Sequence, residues 1–224
     1  MTELQPIILS LELAAITTSV LLFVAVPVAY WLSEKDFKLK PAVSAIISMP
    51  LVLPPTVLGF YLLVAFSPNY FFGGILEKLF NVRFVFSFEG LIIASMIYSF
   101  PFMVNPVQAG FENLPSSLKE ASYTLGKSKF HTIIKVMLPN IKPALLTGIV
   151  LSFAHTIGEF GIVLMIGGNI PGKTRVASLA IYDQVESLNY HNANVYALTL
   201  FIVTFLILLT VYIFNRKYLK SGRL

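Results

Sequence analysis

The sequence predicts an all-α membrane protein with five transmembrane helices and a two-helix loop between the third and fourth spans. Three observations support this fold class. Hydrophobic residues make up 56% of the 224 residues and charged residues only 12%, which is about half the charged share of a soluble domain. The apolar residues fall in long blocks without Lys or Arg. The cations lie between these blocks, so the net charge of +5 indicates membrane topology rather than nucleic-acid binding.

The number of spans follows from the lengths of the apolar blocks. A helix rising about 1.5 Å per residue needs about 20 apolar residues to cross a hydrocarbon core of about 30 Å. A sixth block, residues 70–88, is interrupted by charges and by adjacent glycines, so we expect it to be interfacial or re-entrant. We treat residues 1–224 as a single transmembrane domain. Its five predicted spans are residues 7–32, 41–66, 90–110, 143–168 and 195–214.

The positions of the cations predict the orientation, because cytoplasmic loops carry an excess of Lys and Arg. Four cations lie after the second or fourth span: Lys78, Arg83, Lys173 and Arg175. The other twelve follow the first, third or fifth span: Lys35, Lys38, Lys40, Lys119, Lys127, Lys129, Lys135, Lys142, Arg216, Lys217, Lys220 and Arg223. We therefore expect the N-terminus outside and the C-terminus in the cytoplasm. The first span is expected to be retained, since residues 1–6 lack the basic start of a signal peptide.

Prolines predict bends in the second and third spans. Pro50, Pro54 and Pro55 lie within six residues of the second span, and the third span contains two more. Proline removes a backbone donor and clashes with the preceding turn. Such breaks are tolerated in membranes where the freed carbonyls face protein or a water-filled cavity. The prolines either serve packing or mark a pathway or gate, and their clustering favours Pro54, Pro55 and Thr56 as pathway residues.

Residues 111–142 are predicted to form two short amphipathic helices between the third and fourth spans. Ser117 and Glu120 form a capping-box pattern, and Gly126 lies where a left-handed cap is expected. Pro139 is expected to end the second helix. An apolar helix face here must be buried against lipid, the bundle or a cytosolic partner. The two sets of residues at i, i+3, i+4 and i+7 are Leu118, Ala121, Ser122 and Leu125, then Phe130, Ile133, Ile134 and Met137.

This loop resembles the EAA signature of ATP-binding-cassette importer permeases. The signature reads Glu-Ala-Ala, three residues, Gly, nine residues, Ile, any residue, Leu-Pro, and the spacing here agrees at every position. Ser122 replaces the second Ala, and Val136 replaces Ile. The resemblance implies that the first helix docks on a separate ATPase; the alternative is an amphipathic hairpin on the membrane surface. The implied coupling residues are Glu120, Ala121, Ser122, Gly126, Leu138 and Pro139.

A wider resemblance covers nearly the whole chain. Residues 158–161 (Gly-Glu-Phe-Gly), 168–175 (Gly-Asn-Ile-Pro-Gly-Lys-Thr-Arg) and 180–182 (Ala-Ile-Tyr) resemble molybdate permeases, to which sulfate permeases are close relatives. The resemblance implies a non-enzymatic permease subunit in a bacterial or archaeal cytoplasmic membrane. It also implies a homodimer that works in lipid with a cytoplasmic ATPase dimer and an external oxyanion-binding protein.

The sequence leaves other substrates open and disfavours other classes of protein. Sulfate or tungstate remains an alternative substrate. An ion-coupled secondary carrier is disfavoured because the halves show no repeat and the loop stays unexplained. An intramembrane enzyme is disfavoured because the chain has neither a His-Glu-x-x-His motif nor a Gly-x-Ser-x-Gly elbow. With no Cys and three scattered His, we expect no metal and no cofactor.

Two ionisable residues of the fourth span, His155 and Glu159, are further candidates for the pathway or gate. An ionisable group at membrane depth costs about 2.5–3.5 kcal/mol on insertion, so a functional role is the default hypothesis. A carboxylate would repel an oxyanion, so we expect Glu159 to be hydrogen-bonded within the bundle at a gate or helix contact. His155, one turn earlier, is either the partner of Glu159 or a packed histidine.

One motif is expected to be misleading. Gly167, Gly172, Lys173 and Thr174 match the Walker A pattern, but a P-loop follows a β-strand and opens a helix. Here the pattern follows a membrane helix on the predicted outer side, so we do not expect nucleotide binding. Lys173 and Arg175 are candidates for an oxyanion or partner site at the outer mouth, and the alternative is a solvated turn.

Overall fold

A computed structural model of the chain describes residues 4–34, 36–80 and 82–221, and the side chains of residues 80 and 214–221 lie outside this description. All regular elements of the described residues are helical, which confirms the predicted fold class. A 3₁₀ turn, Met49–Leu51, and a π-helical turn, Ile133–Met137, join neighbouring helices. The α-helices are α1 Gln5–Glu34, α2 Lys40–Ser48, α3 Pro55–Phe66, α4 Phe71–Phe80, α5 Phe88–Glu112, α6 Ser116–Thr124, α7 Lys129–Thr132, α8 Leu138–Asn140, α9 Lys142–Ile157, α10 Gly161–Gly167, α11 Ala177–Glu186 and α12 Tyr190–Ser221.

Some of the residues from which the orientation was predicted lie outside the described part of the chain. Residues 1–3, Lys35 and Arg223 are outside the described residues. The backbone of Arg216, Lys217 and Lys220 belongs to α12, but their side chains are outside the description as well.

Three helices are long and apolar enough to cross a membrane: α1, α5 and the Tyr190–Ile213 part of α12. Two bent pairs of helices bring the number to at most five if each pair is one span: residues 40–51 with α3, and residues 129–140 with α9. Helix α2 with its 3₁₀ turn meets α3 at 107°, so the second span bends where its prolines predict. In contrast, α5 remains one helix through Pro101 and Pro106. Tight packing against α1 and α9 supports α5 there, so its prolines do not break it.

The fourth apolar block, residues 143–168, is not one continuous helix, and its bounds as a membrane span stay a prediction. Helix α9 ends at Ile157 and α10 begins at Gly161, with non-helical residues between them. Glycine is a poor helix former, and Gly161 also lies close to the start of α3. A Cβ added at Gly161 would lie 2.7 Å from the Cβ of Pro55. The break therefore accommodates a close contact between two spans.

The centre of the bundle is formed by α1, α5 and α9, which pack against one another. Small residues allow the close approach, as is usual between membrane helices. A Cβ added at Gly110 in α5 would lie 2.6 Å from the Cβ of Ala144 in α9. The same addition at Gly148 in α9 would lie 2.9 Å from the sulfur of Met103. Buried residues of α1 and α5, together with Met137 and Ile141 just before α9, form the central apolar core, and partly buried residues of α9 pack against it.

Helix α1 runs the length of the bundle and defines its two ends. Near its start, the Ser10 hydroxyl accepts a hydrogen bond from the backbone N–H of Ala177 at 2.8 Å. At its other end, Glu34 forms an ion pair with Lys119 of α6. Thirty residues span about 45 Å. The loop that contains α6 and the loop before α11 therefore lie at opposite ends of the bundle, in agreement with the predicted topology.

The block at residues 70–88 does not form a further span. Helix α4 has 10 residues, which rise only about 15 Å. The Phe72 ring packs near Phe66 at the end of α3, with ring centroids 5.9 Å apart. Beyond α4, Arg83 donates a hydrogen bond to Glu77 at 2.6 Å, and this bond raises the pKa of Arg83. Whether the segment is interfacial or re-entrant stays a prediction.

Candidate functional site

The coupling loop, residues 111–142, contains α6, α7 and α8. Helix α6 begins after Pro115, whose φ of −58° and ψ of 132° direct the chain into the first turn. No side chain caps this end, so the capping box predicted for Ser117 and Glu120 is wrong. Proline occupies the capping position and Ser117 lies inside the first turn, where its hydroxyl no longer faces the free N–H groups.

The other end of α6 confirms the predicted glycine cap. Gly126 has φ of +71°, a conformation that other L-residues rarely adopt. Its N–H donates to the Tyr123 carbonyl at 2.9 Å, and the N–H of Lys127 donates to the Ser122 carbonyl at 3.1 Å. These two bonds form a Schellman motif. The chain therefore reverses tightly and leads α6 back toward α7.

A buried hydrogen bond joins the two helices of the loop. The hydroxyl oxygens of Ser122 and Thr132 are 2.8 Å apart, and both residues are buried. The Thr132 hydroxyl also donates to the Ser128 carbonyl at 3.0 Å, so Ser122 is the donor of the bond between the helices. Ser128 in turn caps α7, since its hydroxyl accepts from the His131 N–H at 3.2 Å.

Apolar side chains on the far side of the loop remain exposed. Leu125 and Phe130 are each 75% exposed, and Tyr123 is 40% exposed. Of the predicted apolar face of α6, Ser122 is buried against α7 while Leu125 points away from the bundle. We call Tyr123, Leu125 and Phe130 the coupling patch. Their exposure indicates a surface that a partner can cover.

The second helix continues through Pro139, so the prediction that this proline ends it is wrong. The segment passes from α7 through the π-helical turn into α8 and ends at Asn140. In the π-helical turn, the Leu138 N–H donates to the Ile133 carbonyl, five residues back. This wider turn accommodates the proline ring, which would clash in a regular α-helix. The chain then bends by 74° into α9.

Two cations of the loop contact the end of α1. The Lys119 ammonium forms a hydrogen-bonded ion pair with Glu34. The Lys129 ammonium lies 5.6 Å from the centroid of the Tyr30 ring, within the range of a cation–π interaction. The Tyr30 ring packs edge-on against Phe111, with centroids 5.3 Å apart. Both α6 and α7 are thus attached to the same end of α1.

Inside the bundle, His155 belongs to a polar cluster between α5 and α9. The Ser99 hydroxyl lies 3.0 Å from His155 Nδ1 and 3.0 Å from the Thr156 hydroxyl. The His155 ring lies near the rings of Tyr98 and Phe102, with centroids 4.5 and 4.1 Å away. Of the two predicted roles for His155, the structure therefore supports the packed histidine, with Ser99 as its hydrogen-bond partner.

Glu159 lies in the break between α9 and α10 and is only 5% exposed. Its backbone carbonyl accepts a hydrogen bond from the Ser178 hydroxyl of α11 at 2.6 Å. Neither carboxylate oxygen has a hydrogen bond of ordinary geometry within the described residues, although the backbone N–H of Ile162 in α10 is directed at the carboxylate. The hydrogen-bonded carboxylate therefore stays a prediction. The acid contributes to the break through its backbone, and its side chain is buried with no side-chain partner among the described residues.

The breaks of the second and fourth spans pack against each other. Pro54 ends the bend of the second span, and Pro55 is the first residue of α3. A Cβ added at Gly161, the first residue of α10, would lie 3.2 Å from the backbone nitrogen of Thr56. The structure thus brings the predicted pathway residues Pro54, Pro55 and Thr56 close to the break that contains Glu159. Pro54 and Thr56 are exposed there.

At the other end of the bundle, residues 168–176 form the distal loop. The Thr174 hydroxyl donates to the Gly167 carbonyl at 2.6 Å and accepts from the Ile170 N–H at 2.9 Å. The N–H groups of Lys173, Thr174 and Arg175 all point to the Ile170 carbonyl, at 2.9–3.1 Å. The N–H groups that would cradle a phosphate in a P-loop are used inside this turn. This geometry agrees with the prediction that the Walker-like pattern is misleading.

The two candidate cations of the distal loop differ in their surroundings. Arg175 donates to the Asn169 side chain at 3.1 Å and lies 3.3 Å from Asp183 of α11. Asn169 also donates to both Asp183 oxygens, at 2.8 and 3.0 Å. Lys173 is exposed. Arg175 is therefore engaged in a local network, and Lys173 is the more accessible of the two.

Comparison with known proteins assigns the chain to a family. Residues 13–220 match the family described as the inner membrane component of binding-protein-dependent transport systems. The chain belongs to this family. It is 44% identical over 98% of its length to the molybdenum transport system permease protein of Azotobacter vinelandii, of which it covers 96%. It is also 33% identical to the corresponding Escherichia coli K12 protein, over 83% of this chain and 81% of that one.

Solved structures show the same fold at lower identity. A bacterial ABC transporter that imports the acidic polysaccharide alginate contains a chain with a TM-score of 0.79, at 18% identity, covering 96% of this permease and 79% of that chain. The inward-facing MetNI methionine ABC transporter gives a TM-score of 0.73, also at 18% identity, covering 96% and 95%. The permease is thus a multi-pass inner-membrane transport component with the importer fold, and it is not itself an enzyme.

The sequence patterns did not predict several of the residues that shape these sites. Thr132 and Asp183 each bond to a residue in a neighbouring element, and Ser99 bonds to a residue in a helix far along the chain. One signal for the first was present: Ser122 departs from the Ala of the EAA signature, and a hydroxyl at a buried helix position needs a partner. Asp183 follows the Ala-Ile-Tyr string directly, but nothing local pairs it with Arg175.

Proposed function

We propose that this permease is the membrane-spanning subunit of an ATP-driven importer of molybdate, with residues 1–224 as a single permease domain. The 44% identical relative from Azotobacter vinelandii and a 37% identical relative from Haemophilus influenzae are molybdenum transport permeases. Probable sulfate permeases are 31–36% identical over a similar share of this chain. Molybdate is therefore the first substrate to test, with tungstate and sulfate as the alternatives.

The coupling patch is the observation that carries this proposal. Two large apolar side chains, Leu125 and Phe130, stay in solvent on either side of the Schellman turn. The EAA spacing coincides with this turn, so a separate ATPase is the partner that we expect to cover it. In this proposal, Glu120 and Ala121 present the exposed side of α6 to the ATPase. Ser122, Gly126, Leu138 and Pro139 hold the shape of the loop.

The assembly that we propose contains two permease copies, two ATPases below them and a binding protein outside. An unpartnered helix face supports a second copy: 6% of the membrane-crossing window of α12 is buried, against 50% for α5. Lipid covers the part of this face that the second copy leaves free. The lysines of the coupling loop support a cytoplasmic location for that end of the bundle. The N-terminus is then outside and the C-terminus inside.

The pathway that we propose runs beside the two broken spans. Pro54 and Thr56 are exposed where α3 meets the break at Gly161. The five predicted spans contain no Lys or Arg, so an oxyanion would be solvated by water, hydroxyls and free backbone N–H groups. This predicts weak substrate binding to the permease alone. Glu159 and His155 would shape the gate from within the bundle, without contacting the substrate.

The distal loop is the proposed site for the external binding protein. Lys173 is exposed and suits contact with an acidic surface or with the oxyanion itself. Arg175 is held by Asn169 and Asp183, so we assign it to the shape of the loop rather than to direct binding.

The test is substrate-stimulated ATPase activity of the purified complex in lipid, with binding proteins for molybdate, tungstate and sulfate. Stimulation by molybdate at the lowest concentration supports the proposal, and a preference for sulfate would reassign the substrate. Glu120→Ala and Gly126→Val should uncouple ATPase from transport. Phe71→Ala, which truncates an 86% exposed residue outside the coupling loop, is the control. Transport without an associated ATPase would contradict the proposed function.

A further inference from the structure

Helix α6 has two separate attachments to the rest of the permease. The Lys119–Glu34 ion pair links it to the end of α1. The buried Ser122–Thr132 hydrogen bond links it to α7, which continues through the π-helical turn and α8 into α9. The direct chain connection between α6 and α7, residues 125–128, is exposed. A Cβ added at Gly126 would have no atom within 4 Å, so nothing packs against this turn on that side.

We propose that Ser122 and Thr132 form a clamp that makes α6 and the α7–α8 segment move as one unit. The inference rests on the proposed function, because the motion in question is the one that an ATPase imposes on α6. Without the clamp, the Gly126 turn would act as a hinge, and displacement of α6 would be only partly transmitted to α9. Ser122 and Thr132 are positioning residues in this mechanism, and neither contacts the substrate.

The direction of the hydrogen bond makes the two single variants unequal. Because Thr132 donates to the Ser128 carbonyl, Ser122 donates to Thr132. Ser122→Ala removes the clamp and leaves Thr132 with its own donor bond intact. It also restores the Ala of the EAA signature, so this variant is expected to fold. Thr132→Val removes the same bond and also the Thr132–Ser128 bond, and it leaves a buried hydroxyl on Ser122 without its acceptor.

The first measurement is the number of substrate molecules transported per ATP in reconstituted vesicles. We expect Ser122→Ala to lower this ratio about fivefold, the change in equilibrium that one net hydrogen bond of ordinary strength produces. The Ser122→Ala/Thr132→Val double variant should be little worse than Thr132→Val alone, because either single variant already removes the bond between the helices. Thr132→Ser keeps the hydroxyl, so its ratio of substrate transported per ATP should equal that of the wild type.

The matched control is Thr124→Val. Thr124 is two residues from Ser122 in the same helix, and its hydroxyl donates to the Glu120 carbonyl within α6. It loses a side-chain hydrogen bond as Thr132→Val does, but no bond between helices. The transport ratio of this variant is expected to equal that of the wild type.

The second measurement reports the geometry directly. The sequence contains no cysteine, so spin labels can be placed at Ser117→Cys in α6 and Lys135→Cys in the π-helical turn, both exposed positions. With the clamp intact, the distance distribution between the labels should be narrow and the same with and without ATP. In Ser122→Ala/Thr132→Val, it should broaden or change with nucleotide.

Two results would overturn the clamp: a label distance that changes with nucleotide in the wild-type background, or a double variant with wild-type distances and transport ratio. Failure of the proposed function gives a different result, namely no ATPase activity stimulated by any oxyanion in the wild type. In that case, comparing the distance distributions of the intact and clamp-free chains still decides whether the clamp joins the two helices.

Discussion

The coupling loop and the distal loop contain similar residues and use them in opposite ways. Both include a left-handed glycine at a helix end, Gly126 and Gly168, and both carry exposed lysines. The distal loop turns its polar groups onto itself, and buried Thr174 lies at its centre. The coupling loop buries one hydroxyl pair, Ser122 and Thr132, between its helices and leaves Leu125 and Phe130 in solvent.

The difference shows two ways in which a loop can offer a surface to a partner. A loop whose backbone N–H groups are largely bonded internally, like the distal loop, offers a partner exposed side chains such as Lys173 rather than backbone groups. A loop with exposed large apolar side chains on a well-defined backbone offers area that becomes favourable when covered. Sequence composition alone does not separate the two, since both loops are glycine-containing and basic.

The largest expected effect concerns the coupling patch. Replacing both Leu125 and Phe130 by Ala should weaken ATPase binding by about 3–4 kcal/mol, because central apolar anchors contribute about 2 kcal/mol each. Titrating the ATPase onto the permease in nanodiscs measures this. The stability of the permease itself should not change, since both side chains are exposed. Unaltered affinity would show that the ATPase binds elsewhere.

Replacement by Ala should lower the stability of the permease by different amounts at the two left-handed glycines, Gly168 and Gly126. Gly168→Ala should destabilise the permease by about 2–3 kcal/mol, since its backbone disfavours a Cβ and that Cβ would lie 2.6 Å from the Phe86 ring. Gly126→Ala should destabilise the permease by about 1 kcal/mol, because its left-handed backbone disfavours Ala while the added Cβ would meet no atom within 4 Å. Denaturant titration in detergent compares them. Equal effects would contradict the packing difference between the loops.

The internal bonding of the distal loop predicts an effect at Thr174. Thr174→Val keeps the shape of the side chain but removes two hydrogen bonds, which leaves the Ile170 N–H without its acceptor. We expect a loss of about 2 kcal/mol in the free energy of unfolding. The control is Thr210→Val, whose hydroxyl donates to a carbonyl on the exposed face of α12. A Thr174 variant as stable as this control would show that the loop does not depend on Thr174.

The smallest expected effect concerns Asp183. Both side chains of the Arg175–Asp183 pair are about one-third exposed, so solvent screens the pair and Asp183→Asn should cost about 0.5 kcal/mol. The loss should shrink further in high salt. If Asp183→Asn instead abolished binding-protein-dependent transport while leaving stability intact, Arg175 and Asp183 would belong to the docking site.

The sequence alone was sufficient for features that depend on local chemistry. Apolar block length predicted the three unbroken helices that can cross a membrane, because hydrocarbon thickness sets that length. Gly126 predicted the end of α6, because a left-handed residue there favours glycine. The local rules failed at Ser117 and Pro139, where the neighbouring Pro115 and a π-helical turn changed the helix ends.

Only the tertiary structure decided which distant residues meet. Ser122 forms a hydrogen bond with Thr132 because α6 packs against α7. Gly161 lies against Pro55 because α10 packs closely against α3. The same packing buries Glu159 in the break between α9 and α10, with no side-chain hydrogen-bond partner among the described residues. Periodicity and caps act within a few residues, whereas close packing, burial and hydrogen bonding between helices depend on the relative positions of whole helices.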